Sequence, residues 1–148
     1  MRRRWVALAI TGALFGLIQL VRYPRTNPPA RSDLNAPPRV KAALRRACYG
    51  CHSNETRWPW YSAIAPASWL THYDVTEARR RLNFSEWADY EYDPGTRAQK
   101  LNEMAKLISS GEMPPWYYRI MHREARMDEP GRDAILRWIA RENKAGAH

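Results

Sequence analysis

Three stretches of the chain carry apolar residues at the three- and four-residue spacing of a helix that is buried along one side. The first begins at Pro38, the second at about Thr96, and the third near Asp128, where Pro130 suits a first helical turn. Their apolar positions are Val40, Ala43, Leu44 and Ala47; Leu101, Met104, Ala105 and Ile108; and Ile135, Leu136, Trp138 and Ile139. No segment alternates as a strand would. The pattern therefore predicts an all-α domain whose first and last helices pack on each other.

Residues 53–95 lack this periodicity. They are rich in Trp, Tyr and Pro, and the pattern predicts only a short helix there, beginning at Ser85. No internal repeat is visible in any part of the chain.

The N-terminal residues follow a different pattern. Arg2, Arg3 and Arg4 precede an uncharged, mostly apolar run from Trp5 to Val21. As a helix this run would be about 25 Å long, the short end of what crosses a bilayer. Its end, residues 19–21, lacks the small residues of a cleavage site, so we favour an uncleaved signal anchor over a cleaved signal peptide. The arginines then keep the N-terminus in the cytoplasm and place the rest of the chain on the other side.

The segment after the apolar run is rich in proline. Residues 22–38 contain five prolines and few apolar side chains, which is typical of an extended, semi-rigid linker. The sequence thus predicts a transmembrane helix over residues 1–21, a tether over residues 22–37 that lifts the domain off the membrane, and a domain over residues 38–148.

One short motif indicates a chemistry. Residues 48–52 read Cys-Tyr-Gly-Cys-His, and C-x-x-C-H is the attachment signature of c-type haem. In that interpretation Cys48 and Cys51 add across the two vinyl groups and His52 ligates the iron. Zinc would need a second cysteine or histidine pair, but the chain has 2 cysteines. A thioredoxin-like pair would sit in a βαβ pattern, which is absent here. The motif therefore predicts one covalent haem c.

From Arg46 onward the chain resembles the haem-binding domain family of bacterial cytochrome-c-like proteins. The resemblance rests on the C-Y-G-C-H-S-N run at residues 48–54, W-P-W-Y at residues 58–61, N-F-S-E-W at residues 83–87, and further matches at Thr56, residues 64–66, 68–69, His72 and residues 111–114. It implies a cytochrome-c-like, all-α haem domain in a membrane-tethered or periplasmic protein, and it implies no particular partner.

The sixth iron ligand is less defined by the sequence. Met113 lies in Gly-Glu-Met-Pro-Pro just after a predicted helix, in a loop that resembles the one carrying the distal methionine in small cytochromes c. Prolines beside it would hold the thioether at a fixed reach. The first alternative is His72; Met104 is interpreted as core, and Met121, His122 and Met127 remain as further candidates.

Two expectations concern the surroundings of the haem. A metal-bound histidine needs an acceptor for its other ring N–H, and by analogy with small cytochromes c we expect the Pro66 carbonyl, with Pro59 as the alternative. Five of the 7 tryptophans could form walls of the haem site, and we expect Trp58 or Trp60 to touch the macrocycle. These five are Trp58, Trp60, Trp69, Trp87 and Trp116.

These observations predict a membrane-anchored monohaem cytochrome of the bacterial cytoplasmic membrane, with its haem domain in the periplasm, that transfers electrons between redox proteins and is not an enzyme. The alternatives are a peroxidase-like enzyme or a gas or redox sensor with a displaceable sixth ligand, and a subunit with a structural haem.

The net charge is +9, or +6 without Arg2–Arg4 (21 Lys and Arg minus 15 acidic residues). We expect such a surface to be simply solvated; the alternative is that it steers the protein toward acidic redox partners or anionic headgroups. Scattered basic residues in an exported domain argue against nucleic-acid binding.

Overall fold

The computed structural model describes residues 1–146, and within them the chain forms eight α-helices, three short 3-10 helices and no strand. The prediction of an all-α protein is confirmed. The α-helices are α1 (Arg2–Ile18), α2 (Pro38–Ala47), α3 (Tyr49–His52), α4 (Ala67–Arg81), α5 (Ala88–Glu91), α6 (Pro94–Ser109), α7 (Trp116–Met121) and α8 (Glu129–Ala145). The 3-10 helices are Trp60–Ala63, Phe84–Glu86 and Arg123–Ala125.

Three helices build the core, and they are the three that the apolar spacing predicts. Helix α8 packs against both α2 and α6. The side chains buried on them are Val40, Ala43, Leu44 and Ala47; Leu101, Met104 and Ile108; and Ile135, Trp138 and Ile139. Side-chain caps begin the second and third of these helices: Asp93 accepts from Gly95 and Thr96, and Asp128 accepts from Gly131. The predicted packing of the first of these helices on the last is therefore confirmed.

Helix α4 is absent from the sequence prediction, which treats residues 53–95 as irregular apart from a short helix at Ser85. Only Val75 and Ala78 are buried in its 15 residues, so it has no continuous apolar stripe. Other residues of α4 face cavities instead of a packed core. The expected short helix is present in a divided form, as the 3-10 helix Phe84–Glu86 followed by α5.

The predicted transmembrane helix is not confirmed. Helix α1 has 17 residues and its first three are arginines, so its apolar part measures about 21 Å, whereas a bilayer core is about 30 Å thick. Within residues 1–146 no helix is long and apolar enough to cross a membrane.

The proline-rich segment lies against the domain instead of forming a free tether. Leu34 is only 2 % exposed and belongs to the core cluster. Asp33 accepts hydrogen bonds from the Tyr49 hydroxyl at 2.6 Å and from Arg45 at 3.3 Å, and it pairs with Lys41. Burial by itself raises the pKa of Asp33. The hydrogen bonds and positive charges of these partners lower the pKa by more, so the net shift is downward. Prolines keep residues 22–37 extended, and this extended segment forms an arm along the domain.

The packing of α8 can be tested by removing one methyl group. We expect Ile135→Val, at a fully buried position, to lower the free energy of unfolding by about 0.5–1.5 kcal/mol because the vacated volume only partly refills. Ile120→Val is the matched control, since Ile120 is 57 % exposed. Denaturant titration of both variants measures the difference, and an equal loss in the two would contradict this core assignment.

Candidate functional site

The Cys-Tyr-Gly-Cys-His motif forms a single helical turn directly after α2. Cys48 caps the end of α2, and its carbonyl accepts hydrogen bonds from the N–H of Cys51 at 3.1 Å and of His52 at 2.9 Å. This turn brings the two cysteines to one side, three residues apart. Burial raises the pKa of both thiols to about 12, so both are neutral at pH 7.

His52 is held through one ring nitrogen by the carboxyl end of α4. Its Nδ1 lies 3.0 Å from the Leu82 carbonyl and 3.1 Å from the Ala78 carbonyl, and two acceptors require that Nδ1 carries the proton. Burial lowers the pKa of His52, although both carbonyls favour the charged ring. The neutral ring therefore has its Nε2 lone pair available for a metal.

The expectation that Pro66 orients His52 is wrong. The Pro66 carbonyl accepts from the N–H groups of Trp69 and Leu70 in the first turn of α4, and the Pro59 carbonyl accepts from Ser62. The sequence could not indicate Ala78 and Leu82, because backbone carbonyls leave no residue-type signal.

His52 lines a largely apolar cavity of about 290 Å³, which we call the first cavity. Both cysteines and Met113 line the same cavity. Its apolar walls include Ala47, Ala78, Leu82, Phe84, Met104, Leu107, Ile108 and Pro114. The structure thus brings the motif at residues 48–52 and the loop at residues 111–115 together, although about sixty residues separate them in the chain.

The Met113 loop is shaped by its neighbours. Gly111, with φ +76°, turns the chain at the end of α6 in a conformation that favours glycine. The Met113 N–H then donates to the Leu107 carbonyl at 3.1 Å, and Pro114 is buried. These contacts hold the thioether-bearing residue at the wall of the first cavity.

A second cavity of about 310 Å³ adjoins the first. The two share Cys51, Asp74, Tyr117 and Tyr118. Their combined size reaches the range of about 300–1,000 Å³ that is typical of cofactor sites. Asp74 accepts a hydrogen bond from the Tyr117 hydroxyl at 3.2 Å, and burial raises the pKa of Asp74 and raises that of Tyr117 to about 12.

The residues around the first cavity fit a haem. Apolar walls surround a neutral imidazole and a thioether, which are common axial ligands, and two thiols stand at the edge. Within residues 1–146 no three or more His, Cys, Asp and Glu side chains converge as a metal site would require. The arrangement therefore suits an iron brought in by a macrocycle better than a bare metal ion.

His72, the alternative sixth ligand, lies outside both cavities. Its ring stacks on Tyr23 with centroids 4.6 Å apart. His72 is two residues before Asp74, hence about 200° around helix α4 from a residue that faces the cavities. His72 therefore does not face the cavity that His52 and Met113 line.

The remaining candidates divide between core and second cavity. Met104 is 7 % exposed and belongs to the core cluster, as expected, while also lining the first cavity. Met121 and His122 line the second cavity, where the His122 ring stacks on Tyr118 and lies 2.7 Å from the Tyr61 hydroxyl. Met127 packs against the core cluster.

The expected tryptophan walls are not found. None of the five tryptophans lines either cavity; Trp60 and Trp116 are 72 % and 68 % exposed, and Trp87 is buried in the core. The aromatic lining consists instead of Phe84, Tyr61, Tyr117 and Tyr118. Tryptophans were expected there only because of their number and size, and number alone does not determine which side of a segment faces inward.

The residues after the motif form a hydrogen-bonded junction that the sequence analysis did not assign. Arg79 of α4 donates to the Ser53 carbonyl at 2.8 Å, to Thr56 Oγ1 at 2.9 Å and to Asn27 Oδ1 at 2.8 Å. Asn54 is the second centre of this junction. Its side chain donates to the Pro29 carbonyl and accepts from Asn83, and its N–H donates to Ser85 Oγ. The junction ties the arm, α4 and the segment after His52 together.

An all-α domain with two cysteines, an oriented neutral histidine and a methionine at one apolar cavity has the features expected of a haem-binding protein. The chain is a member of the haem-binding domain family, since the family model Haem_bd, described as "Haem-binding domain", matches residues 13–141. The family resemblance drawn from the sequence is thereby confirmed, and the match also covers the end of α1 and the arm. No curated protein and no solved structure matches the chain.

Proposed function

We propose that this protein is an exported c-type cytochrome with one haem, which transfers electrons between redox proteins. The observation that carries the proposal is that one cavity is lined by both cysteines of the C-x-x-C-H motif, by His52 and by Met113. When bound, the haem supplies a one-electron couple at its iron. The protein itself breaks no substrate bond in this proposal.

Each residue has a distinct role. Cys48 and Cys51 would hold the haem through two thioether bonds, each thiol adding its sulfur to one carbon of a vinyl group and its proton to the other. His52 Nε2 and the Met113 sulfur would ligate the iron, and the Ala78 and Leu82 carbonyls keep the His52 proton on Nδ1. Phe84, Leu107 and Ile108 exclude water from the first cavity, which favours the reduced state.

The chemistry of haem attachment and the exposed side chains of α1 support a proposed location. Thiols are kept reduced in the cytosol and oxidised outside it, and c-type haem attachment takes place outside the bacterial cytoplasmic membrane. The apolar side chains of α1 are exposed along its length, with Leu8 at 64 % and Leu17 at 58 %. We therefore propose that α1 associates with the membrane and that the haem domain faces the periplasm, where its net positive charge steers acidic redox partners.

The mass of the denatured protein tests the proposal. Expressed with a working haem-maturation system, the chain should carry the mass of one haem, and Cys48→Ala/Cys51→Ala should carry none after denaturation because no thioether remains. Ser53→Ala, beside the motif, should keep the haem mass. A wild-type mass equal to that of the polypeptide alone would contradict covalent attachment.

A second candidate is a haem enzyme or gas sensor, which needs an open sixth position and a proton donor beside it. The Tyr117–Asp74 pair at both cavities is the observation that favours it. Carbon monoxide separates the two functions: an electron-transfer protein with two axial ligands should not bind it when reduced, whereas the enzyme or sensor should.

A further inference from the structure

The carboxyl end of α1 is fastened to the domain at one corner. The Gln19 side-chain amide pairs with the backbone of Ala65 through two hydrogen bonds, of 3.1 Å from Nε2 to the carbonyl and 2.9 Å from the N–H to Oε1. The Trp69 indole N–H donates to the Val21 carbonyl at 3.0 Å. The Tyr23 ring also stacks on His72. These contacts hold the domain directly against the end of α1, with no free linker between them.

Exposed apolar and aromatic side chains surround this corner. Trp60 is 72 % exposed and Ile64, directly before Ala65, is 40 % exposed. Tyr73 is 63 % exposed and lies one turn after Trp69 on α4. We call residues 19–25, 60–64 and 69–73 the docking face. Trp69, His72 and Tyr73 lie on the side of α4 that faces away from the cavities, whereas Tyr61, Leu70 and Thr71 border the second cavity.

The chain segments that include the docking face contain arginines and no acidic residue, although Arg31 pairs with Glu86 and Asp89 and Glu77 lies one turn after Tyr73 on α4. Residues 1–32 and 57–73 contain seven arginines and not one Asp or Glu, so all 15 acidic residues lie elsewhere. Arg22 and Arg25 fall within the docking face itself. A surface of this kind is complementary to anionic headgroups, which attract each nearby Lys or Arg.

We propose that the docking face rests on an anionic membrane surface and holds the haem domain against the lipid. The proposal depends on the membrane association of α1 proposed above. A lipid surface is favoured over an acidic protein because the docking face continues into α1. The apolar side chains of this helix are exposed from one end to the other. Exposed Trp and Tyr beside such a helix are typical of the membrane–water interface.

Site-specific labels on the holoprotein test the proposal. Haem attachment consumes both native thiols, so Ile64→Cys or Tyr73→Cys introduces the only reactive thiol for a fluorophore. The control is Tyr92→Cys, because Tyr92 is 93 % exposed and lies outside the docking face. In vesicles of phosphatidylcholine and phosphatidylglycerol, brominated lipid should quench the labels at positions 64 and 73 at least twofold and leave the label at position 92 unchanged.

The same samples separate the possible failures. Flotation of the vesicles in a density gradient shows whether the chain binds them. If the chain floats with the vesicles but the labels at positions 64 and 73 stay unquenched, the docking face is free for a protein partner and the proposal is overturned. If the chain does not float at all, the membrane association of α1 is wrong as well. The absorption spectrum of each sample reports the haem independently of both results.

The double variant Arg22→Gln/Arg25→Gln tests how much the positive charge of the docking face contributes to membrane binding. Each arginine near an anionic surface should change affinity about fivefold, so the double variant should bind phosphatidylglycerol vesicles more than tenfold less tightly. Arg137→Gln/Arg141→Gln on α8, outside the docking face, should change binding far less. Equal losses in the two double variants would overturn the assignment of the anionic contact to this face.

Discussion

Met113→Ala should abolish the weak long-wavelength absorption band that a methionine sulfur gives to ferric haem, and it should open the reduced protein to carbon monoxide. Met113 lines the same cavity as His52, and no other sulfur on that loop can replace it. The reduction potential should also fall by on the order of 100 mV, since axial ligands change haem potentials over a range of about 0.8 V. A thioether favours ferrous iron more than water does.

Two variants serve as controls for Met113→Ala. Met104→Ala should keep the band and instead lower the free energy of unfolding by about 2–5 kcal/mol, because Met104 is 7 % exposed in the core. His72→Ala should change neither band nor potential, because His72 stacks on Tyr23 outside the cavities. An unchanged spectrum in Met113→Ala would show that Met113 is not the sixth ligand. Met121 and His122 of the second cavity would then be the next candidates.

Arg79→Leu should lower the free energy of unfolding by about 2–4 kcal/mol and loosen the arm. The Arg79 guanidinium makes hydrogen bonds to Ser53, Thr56 and Asn27, and hydrogen bonds to charged groups are the stronger ones. Leucine would remove the charged donor from all three acceptors, of which the Ser53 carbonyl keeps only the longer hydrogen bond from Thr56 Oγ1 at 3.4 Å. Denaturant titration measures the loss, and proteolysis within residues 22–37 should become faster.

Arg80→Leu is the matched control for Arg79→Leu. Arg80 is the next residue of α4, but it is exposed and pairs only with Glu77, so its loss should leave stability and proteolysis unchanged. If both substitutions behave alike, the junction described here does not hold the arm.

The arm and the docking face together change the expected position of the haem domain. A proline-rich linker by itself would act as a spacer, but Leu34 is buried and Gln19 pairs with Ala65. The end of α1 is therefore close to the haem domain. If the protein is the membrane-associated cytochrome proposed above, this geometry would keep electron transfer near the membrane surface.

The sequence alone indicated a haem-binding protein and predicted the main helices. Cys48, Cys51 and His52 are adjacent, so their joint geometry follows from one local turn and is visible in the motif. Helices α2, α6 and α8 bury continuous stripes of apolar side chains, and such stripes leave a clear spacing in the sequence. The Gly-Glu-Met-Pro-Pro loop predicts Met113 as a ligand, and the structure places that loop at the cavity lined by His52.

Only the tertiary structure decided which distant groups meet. The acceptors of His52 are backbone carbonyls of Ala78 and Leu82, which any residue type could supply. Helix α4 borders cavities and therefore lacks an apolar stripe, and the orientation of His72 away from them depends on how that helix is rotated. The arm is extended because of its prolines, but whether an extended segment is free or packed depends on partners such as Arg79 and Asn54, which come from other parts of the chain.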